Sequence, residues 1–335
     1  MERLRQSWTL AIGAGVLAAL IWSSWYVLAR HGVTGGGLRP EDLAALRFMV
    51  AAPVSLLLLR RIPISRRNLP YTVVMAIGVG PAFGIVVAKG FQVAPASFGG
   101  AMTAVCGVLL SLIGAVLLLG ERLSRRQWLG IVITVLGLAV LALISGGSIM
   151  IGYFLCGGLL WAAYGVAARA SGLKAMEAAG AVAMLSAVFF LPPYFYFAGD
   201  ALWQADAGEL WLQGIGQGIL TGTVALALHA YAVVVLGAAR GALFQSLVPP
   251  FTLILSLVFL WEVPSRAEVL TIMLTLIGVA TALHPSTVKG DRKACGPFAV
   301  SDATRSDFSG EIDEDPCAGE ASGRLQREDP REVMR

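Results

Sequence analysis

One arginine lies within an otherwise apolar run, where a guanidinium could bind an anion. Arg47 falls about one and a half turns inside the predicted helix 42–59, at a rise of about 1.5 Å per residue. A charged side chain at that depth is costly unless it extends to the membrane surface or faces a watery cavity. Arg47 therefore either reaches the interface or holds the carboxylate of an anionic or zwitterionic substrate, for which a forked guanidinium is suited.

Four more polar side chains fall inside apolar runs, where exposure to lipid would be unfavourable. They are His229, Tyr231, Gln92 and Gln245. Because polar groups in a membrane need partners or a cavity, we expect all four to face the interior of the protein. A single histidine there is either a hydrogen-bonded core residue or a proton carrier, since imidazole titrates near neutral pH.

Aromatic residues recur in the first and sixth apolar runs. Trp22 and Trp25 in the first run are matched by Trp161 and Tyr164 in the sixth. Aromatic side chains of this kind commonly form a belt at the membrane interface. The alternative is that these residues flank a central cavity from opposite sides and stack on a flat, apolar substrate.

The sequence contains no recognisable set of catalytic or metal-binding residues. No Asp or Glu lies deep within an apolar run, which argues against a proton relay of carboxylates. The spacing of Cys106, Cys156, Cys295 and Cys317 indicates neither a metal site nor a disulfide framework. There is no Walker motif for ATP hydrolysis. We therefore predict that the protein has no catalytic residues, no metal and no cofactor.

A charged break between two apolar runs occurs twice in the chain. The break contains Glu121, Ser124 and Arg125, and the same residue types recur at one constant spacing as Glu262, Ser265 and Arg266. Each serine precedes Gln127 or Glu268 by three residues, the spacing of a capping box. Each glutamate precedes its arginine by four residues, close enough to pair across a tight turn. We interpret both breaks as structural hinges; the alternative is a gate that breaks when a cavity opens.

The composition requires a membrane protein. Of 335 residues, 57% are hydrophobic and 14% are charged, and the mean hydropathy is +0.75, values too apolar for a soluble domain. A helix needs roughly 20 apolar residues to cross a bilayer. Ten runs satisfy this requirement: 8–29, 42–59, 70–93, 97–119, 126–145, 149–168, 177–198, 210–236, 241–261 and 267–284. We predict an all-α integral membrane protein with ten transmembrane helices. Glycine and proline at 78–81 and the pair Pro249-Pro250 are predicted to interrupt the third and ninth runs near their middles.

The distribution of charge predicts the orientation. The segments 60–67 and 122–126 are rich in arginine, whereas Asp200, Asp206 and Glu209 gather after the seventh run. Basic residues collect on the cytoplasmic side of membrane proteins, so we expect both termini in the cytoplasm and a bacterial-type inner membrane as the location. The basic cytoplasmic segments explain the net charge of +4, and we expect no nucleic-acid partner.

The duplication predicts two repeats of opposite orientation. The first helices also correspond, since Trp22 matches Trp161 and Arg30 matches Arg169. Five spans in each repeat, 8–145 and 149–284, force the second copy to enter the membrane inverted. Inverted repeats are typical of carriers that work by alternating access. The polar residues 286–335 are predicted to form a disordered cytoplasmic tail.

These patterns resemble those of a known family. The matching segments are Trp22-Ser23-Ser24, Leu43 to Phe48, Ala94 to Ser97, Leu119 to Leu123, and Leu247-Val248-Pro249 with Glu262. In this order, and duplicated, they are similar to the EamA-type exporters of the drug/metabolite transporter superfamily, over residues 8–284. The chain departs from the family pattern at Val108, which stands opposite Pro249, and after Glu262, where a basic residue is missing.

The resemblance implies a secondary transporter. It would export small metabolites, amino acids or drug-like compounds by alternating access; a flippase for lipids or lipid-linked sugars is the alternative within the superfamily, and a membrane-embedded enzyme the alternative outside it. The expected partners are a small-molecule substrate and the lipid bilayer. Gly130, Gly137 and Gly278 would let helices pack closely, which permits a homodimer as well as a monomer.

Overall fold

Every regular element in the part of the chain that the structure describes is a helix. The structure is a computed structural model, and it describes residues 2–59, 64–119, 124–144, 148–198, 201–236 and 244–283. The all-helical prediction is therefore confirmed for these ranges. The predictions for Glu121 and for the tail 286–335 lie outside the described residues.

The helices of the first half follow the predicted apolar runs closely, with one run divided in two. Long apolar segments form helices in a bilayer because a helix satisfies its backbone polar groups within the segment. The helices are α1 (Glu2–Thr34), α2 (Pro40–Leu59), α3 (Leu69–Val79), α4 (Pro81–Phe91), α5 (Ala96–Leu119) and α6 (Arg125–Ile144).

The break between α3 and α4 has a local cause. Gly80 is extended, with φ −78° and ψ −152°, and a Cβ atom at this position would collide with the carbonyl oxygen of Ala76. Pro81 then begins α4, where its missing amide hydrogen is not needed. The predicted interruption of the third run at 78–81 is confirmed.

The second half has a π-helix in its third span. Three consecutive segments, α9, the π-helix and α10, together occupy the predicted run 210–236. A π-helix closes its hydrogen bonds over five residues and is found mostly as short stretches at functional sites. The elements are α7 (Ser148–Ser171), α8 (Ala175–Ala198), a 3₁₀ turn (Ala201–Gln204), α9 (Ala207–Gln213), the π-helix (Gly214–Val224), α10 (Ala225–Leu236), α11 (Val248–Leu260) and α12 (Arg266–Leu283).

The predicted interruption of the ninth run at Pro249 and Pro250 is present, but the break lies nearer the start of the run than its middle, at the turn 246–247. Helix α11 begins at Val248, so both prolines lie in its first turn. Proline is tolerated there because the first amide groups of a helix have no partner within the helix.

Corresponding helices of the two halves pack in matching pairs. Helix α5 packs on α7, and its counterpart α11 packs on α1. Helices α3 and α4 pack on α7, and their counterparts, the π-helix and α10, pack on α1. Three further pairs of described helices, α2 with α8, α6 with α12 and α5 with α11, each join one helix to its own counterpart.

Small residues allow α6 and α12 to approach closely. A Cβ atom on Gly278 would lie only 2.8 Å from the amide nitrogen of Thr134 and 2.9 Å from the carbonyl oxygen of Gly130. Two of the glycines that could have mediated a dimer, Gly130 and Gly278, are therefore engaged within the chain at this seam.

The described helices are those of a multi-pass membrane protein. Five helical stretches are long and apolar enough to cross a bilayer: Trp8–Thr34, Leu69–Phe91, Ile149–Ser171, Ala175–Phe197 and Ala207–Leu236. Large apolar side chains also cover the outside, among them Leu57, Phe189 and Phe197. Such an extended apolar surface would be unfavourable in water and suits contact with lipid.

Candidate functional site

Arg47 lies between aromatic rings in the interior. Its Cζ atom is 6.0 Å from the centre of the Trp25 ring and 5.6 Å from that of Phe48, and its side chain is half-buried. No carboxylate of the described residues pairs with it. Cation–π contacts of this kind stabilise a guanidinium only in part. The positive charge thus remains available to an anion.

Aromatic side chains from three helices form a row that begins beside Arg47. Trp25 on α1 stacks on Phe83 of α4, with ring centres 5.5 Å apart and planes 19° apart. Phe83 lies 5.8 Å from Trp161 of α7, which in turn lies 5.9 Å from Tyr164. We call Trp25, Arg47, Phe83, Trp161 and Tyr164 the aromatic cluster. It brings together four of the candidates that the sequence suggested.

The fifth member of the aromatic cluster, Phe83, was missed by the sequence analysis. Phe83 is buried at 3% exposure and joins Trp25 to Trp161. Its signal in the sequence is its position in the first turn of α4, just after the break at Gly80 and Pro81. A single phenylalanine in an apolar run does not otherwise stand out.

Outside the aromatic cluster, Trp22 of α1 contacts His229 of α10. Their ring centres are 5.0 Å apart. His229 is buried, and its Nδ1 atom has no hydrogen-bond partner among the described residues. The Nε1 atom of Trp25 is likewise buried without a partner. Unsatisfied polar atoms in an interior are rare in folded proteins and call for an explanation such as a missing ligand.

The other polar candidates do not join these contacts. Gln92 directly follows α4 and is exposed, so the prediction that it faces the interior is wrong; the last turn of α4 buries Gly90 and Phe91 instead. Tyr231 is 41% exposed, because the buried face of α10 contains His229, Ala232 and Val233 instead. Gln245 is half-buried and helical, just ahead of the turn that precedes α11.

A buried row of amides, also missed by the sequence analysis, extends along the eighth span. The Nε2 atom of Gln217 donates to Oε1 of Gln213 at 2.6 Å. The Nε2 atom of Gln213 donates to Oε1 of Glu209 and to the carbonyl oxygen of Leu28, both at 2.8 Å. His31 lies 3.2 Å from the other oxygen of Glu209. The i, i+4 spacing of 209, 213 and 217 was the available signal.

Arg39 offers an instructive contrast with Arg47. Its Nη2 atom pairs with Oδ1 of Asp42 at 2.8 Å, and the Tyr194 hydroxyl donates to the same oxygen at 2.6 Å. The hydrogen bond to Asp42 raises the pKa of the Arg39 guanidinium above its ordinary value. A cavity of about 290 Å³ beside it is also lined by Glu41, which pairs with Lys89. The charges around that cavity are thus already satisfied within the chain.

The predicted capping box at the first hinge is present. The Ser124 amide donates to Oε1 of Gln127 at 2.8 Å, and the Gln127 amide donates to the Ser124 hydroxyl at 3.3 Å. Arg125, the first residue of α6, is exposed. These reciprocal hydrogen bonds satisfy free amides at the start of α6.

At the second hinge, Glu262 makes different contacts from the one predicted, and the Glu268 side chain of the predicted capping box lies outside the described residues. Oε1 of Glu262 accepts a hydrogen bond from Nε of Arg30 at 2.8 Å, and its Oε2 accepts one from the amide of Ala96 at 2.8 Å. Arg30 also donates to the carbonyl oxygen of Phe91. The predicted pairing of Glu262 with Arg266 is therefore wrong.

The backbone explains this choice of partner. Trp261 ends α11 in the left-handed region at φ 56°, a conformation uncommon for a bulky residue. The turn directs Glu262 back toward α1 and α5. Ser265 and Arg266, by contrast, are exposed at the start of α12. Sequence spacing alone could not anticipate a partner on α1.

The described residues contain no group of three His, Cys, Asp or Glu side chains that could hold a metal ion. The arrangement offers instead a guanidinium, aromatic faces and unpaired polar atoms in the interior. These groups can bind an organic molecule.

Comparisons with known proteins agree with this description. The pattern of the EamA-like transporter family matches residues 9–143 and again 148–283. A "Probable terminal-alkyne amino-acid exporter" of Streptantibioticus cattleyicolor is 25% identical over 298 residues, which are 86% of this chain and 97% of that protein. A crystal structure of another protein superposes with a TM-score of 0.56 at 21% identity, over 81% of this chain and 95% of that one, a likeness of fold alone.

Proposed function

Because the chain belongs to the EamA-like transporter family, we propose that it is a secondary transporter that exports small organic carboxylates, amino acids among them, by alternating access. The family assignment supports transport across a membrane. The substrate class and the direction are our proposal. They rest on the aromatic cluster around Arg47.

The observation that carries the substrate class is a guanidinium without a counter-ion. Arg47 is half-buried among Trp25 and Phe48 and has no carboxylate partner in the described ranges. Two parallel hydrogen bonds from a guanidinium suit a carboxylate. The neighbouring rings of Phe83 and Trp161 suit an apolar substituent on the same molecule. The name of the amino-acid exporter relative agrees with this chemistry.

Alternating access is supported by the symmetry of the packing. Exchanging each helix of residues 9–143 for its counterpart in 148–283 turns the pair α5–α7 into α11–α1, and leaves the pairs α2–α8 and α6–α12 unchanged. Two repeats related in this way by a two-fold axis, inverted in the membrane, can open a shared central site to either side in turn. We infer ten spans, both termini in the cytoplasm and an inner-membrane location.

Transport into proteoliposomes tests the substrate class. Arg47→Ala should reduce transport of amino acids about tenfold or more, because a hydrogen bond to a charged group contributes about 1.5–3 kcal/mol. Transport of the corresponding amino-acid amides, which lack the carboxylate, should change little. Arg266→Ala, which removes an exposed arginine, is the matched control and should transport like the unaltered protein.

Two results would contradict the proposal. Equal transport of amino acids by Arg47→Ala and by the unaltered protein would show that the guanidinium does not bind the carboxylate. Transport confined to long-chain lipids or lipid-linked sugars would instead favour the flippase function. In that case neither amino acids nor their amides would be transported, whether or not Arg47 is present.

A further inference from the structure

Glu262 connects the two halves of the protein at one end of the bundle. It belongs to the second matched region, 148–283, whereas Arg30 and Ala96 belong to the first, 9–143. Both carboxylate oxygens are thus bound by groups of the other half. The side chains of Arg30 and Glu262 are only 21% and 17% exposed, so solvent screens this ion pair less than a pair at an open surface.

The contact closes one particular end of the helix bundle. Arg30 lies near the C-terminal end of α1, Phe91 ends α4, and Ala96 begins α5. We call this the Arg30 end. Trp25 precedes Arg30 by five residues on α1, which corresponds to about 7.5 Å along a helix. The ion pair therefore lies about one and a half helical turns from the aromatic cluster, on the side of the Arg30 end.

The helix cap that Glu262 provides is unusual because it comes from a distant part of the chain. Helix α6 is capped by its own Ser124 and Gln127, and α9 by its own Asp206. Helix α5 is preceded by Ala94 and Pro95, which have no side-chain acceptor. A carboxylate near a helix N-terminus is favourable, but this one is lost whenever the two halves move apart.

We propose that Glu262 is a latch that holds the Arg30 end closed and releases it when the two halves separate during transport. This inference rests on the proposed function, since a latch has a role only if the central site opens. The state described here is closed at the Arg30 end. Loss of the carboxylate shifts the population toward a state open at that end.

The accessibility of a cysteine in the aromatic cluster tests the latch. Phe83→Cys is introduced after Cys106, Cys156, Cys295 and Cys317 are replaced by serine, and membrane-impermeant maleimide is added to vesicles of either orientation. Phe83 is 3% exposed in the closed state, so labelling of Cys at this position from the Arg30 end should be slow. Glu262→Ala should accelerate it several-fold. Glu262→Gln, which keeps one acceptor oxygen without the charge, should have an intermediate effect.

The matched control is Glu41→Gln. Glu41 pairs with Lys89 at 3.5 Å, but both residues belong to the first half, and their side chains are 39% and 44% exposed. Removing this pair should leave the labelling rate unchanged. An increase equal to that of Glu262→Ala would overturn the latch, as would an unchanged rate in Glu262→Ala.

A cross-link keeps the proposal testable even if Glu262→Ala does not fold. In the same background, Arg30→Cys and Glu262→Cys are joined by a short bismaleimide before the label is added, since Arg30 and Glu262 meet through long side chains and a bridge longer than a disulfide is needed. This bridge should abolish labelling of the Cys at position 83 from the Arg30 end. Labelling that is unaffected by the bridge overturns the latch. Because labelling needs no substrate, a chain that transports no amino acid but shows these rates contradicts the proposed function and supports the latch. A chain that transports amino acids but keeps the same labelling rate in Glu262→Ala supports the proposed function and contradicts the latch.

Discussion

At the scale of single residues, contacts between distant helices place the unusual side chains: Arg47 of α2 lies beside Trp25 of α1, and Glu262 binds Arg30 of α1. Arg47 stood out as a charge within an apolar run, and Trp25, Trp161 and Tyr164 stood out through the duplication; the structure brings these four together. Glu262 stood out too, yet its partner was sought four residues away at Arg266. A local spacing argument cannot find Arg30 on α1, because only the packing of distant helices makes that contact.

The buried amides give a prediction at this scale. Gln213→Leu removes the donor to Glu209 and Leu28 and the acceptor for Gln217. Leaving buried polar groups unpaired costs about 1–3 kcal/mol each, so we expect a clear fall in the melting temperature of the purified protein in detergent. Gln204→Leu, at an exposed position, should leave it nearly unchanged. Equal melting temperatures for both variants would show that the amide row does not stabilise the fold.

At the scale of helices, apolar runs and breakers predicted most boundaries. The break at Gly80 followed from the residues themselves, because glycine and proline act on their own backbone. The position of Pro249 and Pro250 was misjudged, since the same residue types also begin helices, and the start of α11 is set by the preceding turn. The π-helix had no signal, because its residues would equally suit an α-helix and only packing against α1 and α2 distinguishes the two.

Two glycines of α7 give a prediction for helix packing. A Cβ atom on Gly158 would collide with Cys106 and lie 3.0 Å from the amide nitrogen of Gly107 on α5, whereas one on Gly152 meets nothing within 4 Å. Gly158→Ala should therefore destabilise the α5–α7 contact, by about 1–3 kcal/mol for an overpacked interior. Gly152→Ala should be neutral or slightly stabilising, because alanine favours a helix over glycine by about 0.5–1 kcal/mol.

Heating each variant in detergent and following the monodisperse fraction by size-exclusion chromatography measures this difference. The Gly158→Ala protein should lose its monodisperse peak at a lower temperature than the Gly152→Ala protein. The reverse order, or no difference, would contradict the packing of α7 on α5.

At the scale of the whole molecule, composition and duplication predicted a helical membrane protein with two similar halves, and the family match to 9–143 and 148–283 supports both statements. The substrate is harder to infer, because the aromatic cluster draws its members from α1, α2, α4 and α7. No single segment of sequence carries its shape. The duplication can be recognised by comparing two stretches of the sequence, whereas a binding cavity forms only once the helices have packed.

The inversion of the two halves is a prediction for the whole chain. Alkaline phosphatase, which is active only outside the cytoplasm, should be inactive when fused after Ser124 and active when fused after Ser265. Four predicted spans precede the first fusion point and nine precede the second, so the two must lie on opposite sides. A fluorescent protein that folds only in the cytoplasm should report the opposite pattern. Activity at both positions, or at neither, would exclude an inverted arrangement.

The contacts of Glu262 also limit how modular the duplicated chain can be. Two of the groups that it binds, the guanidinium of Arg30 and the first amide of α5, belong to the half that does not contain it. A first half standing alone would carry an unpaired cation and an uncapped helix at the same end. Similarity of sequence has therefore not made the halves interchangeable: the contacts at the Arg30 end of the first half are complete only with Glu262 of the second.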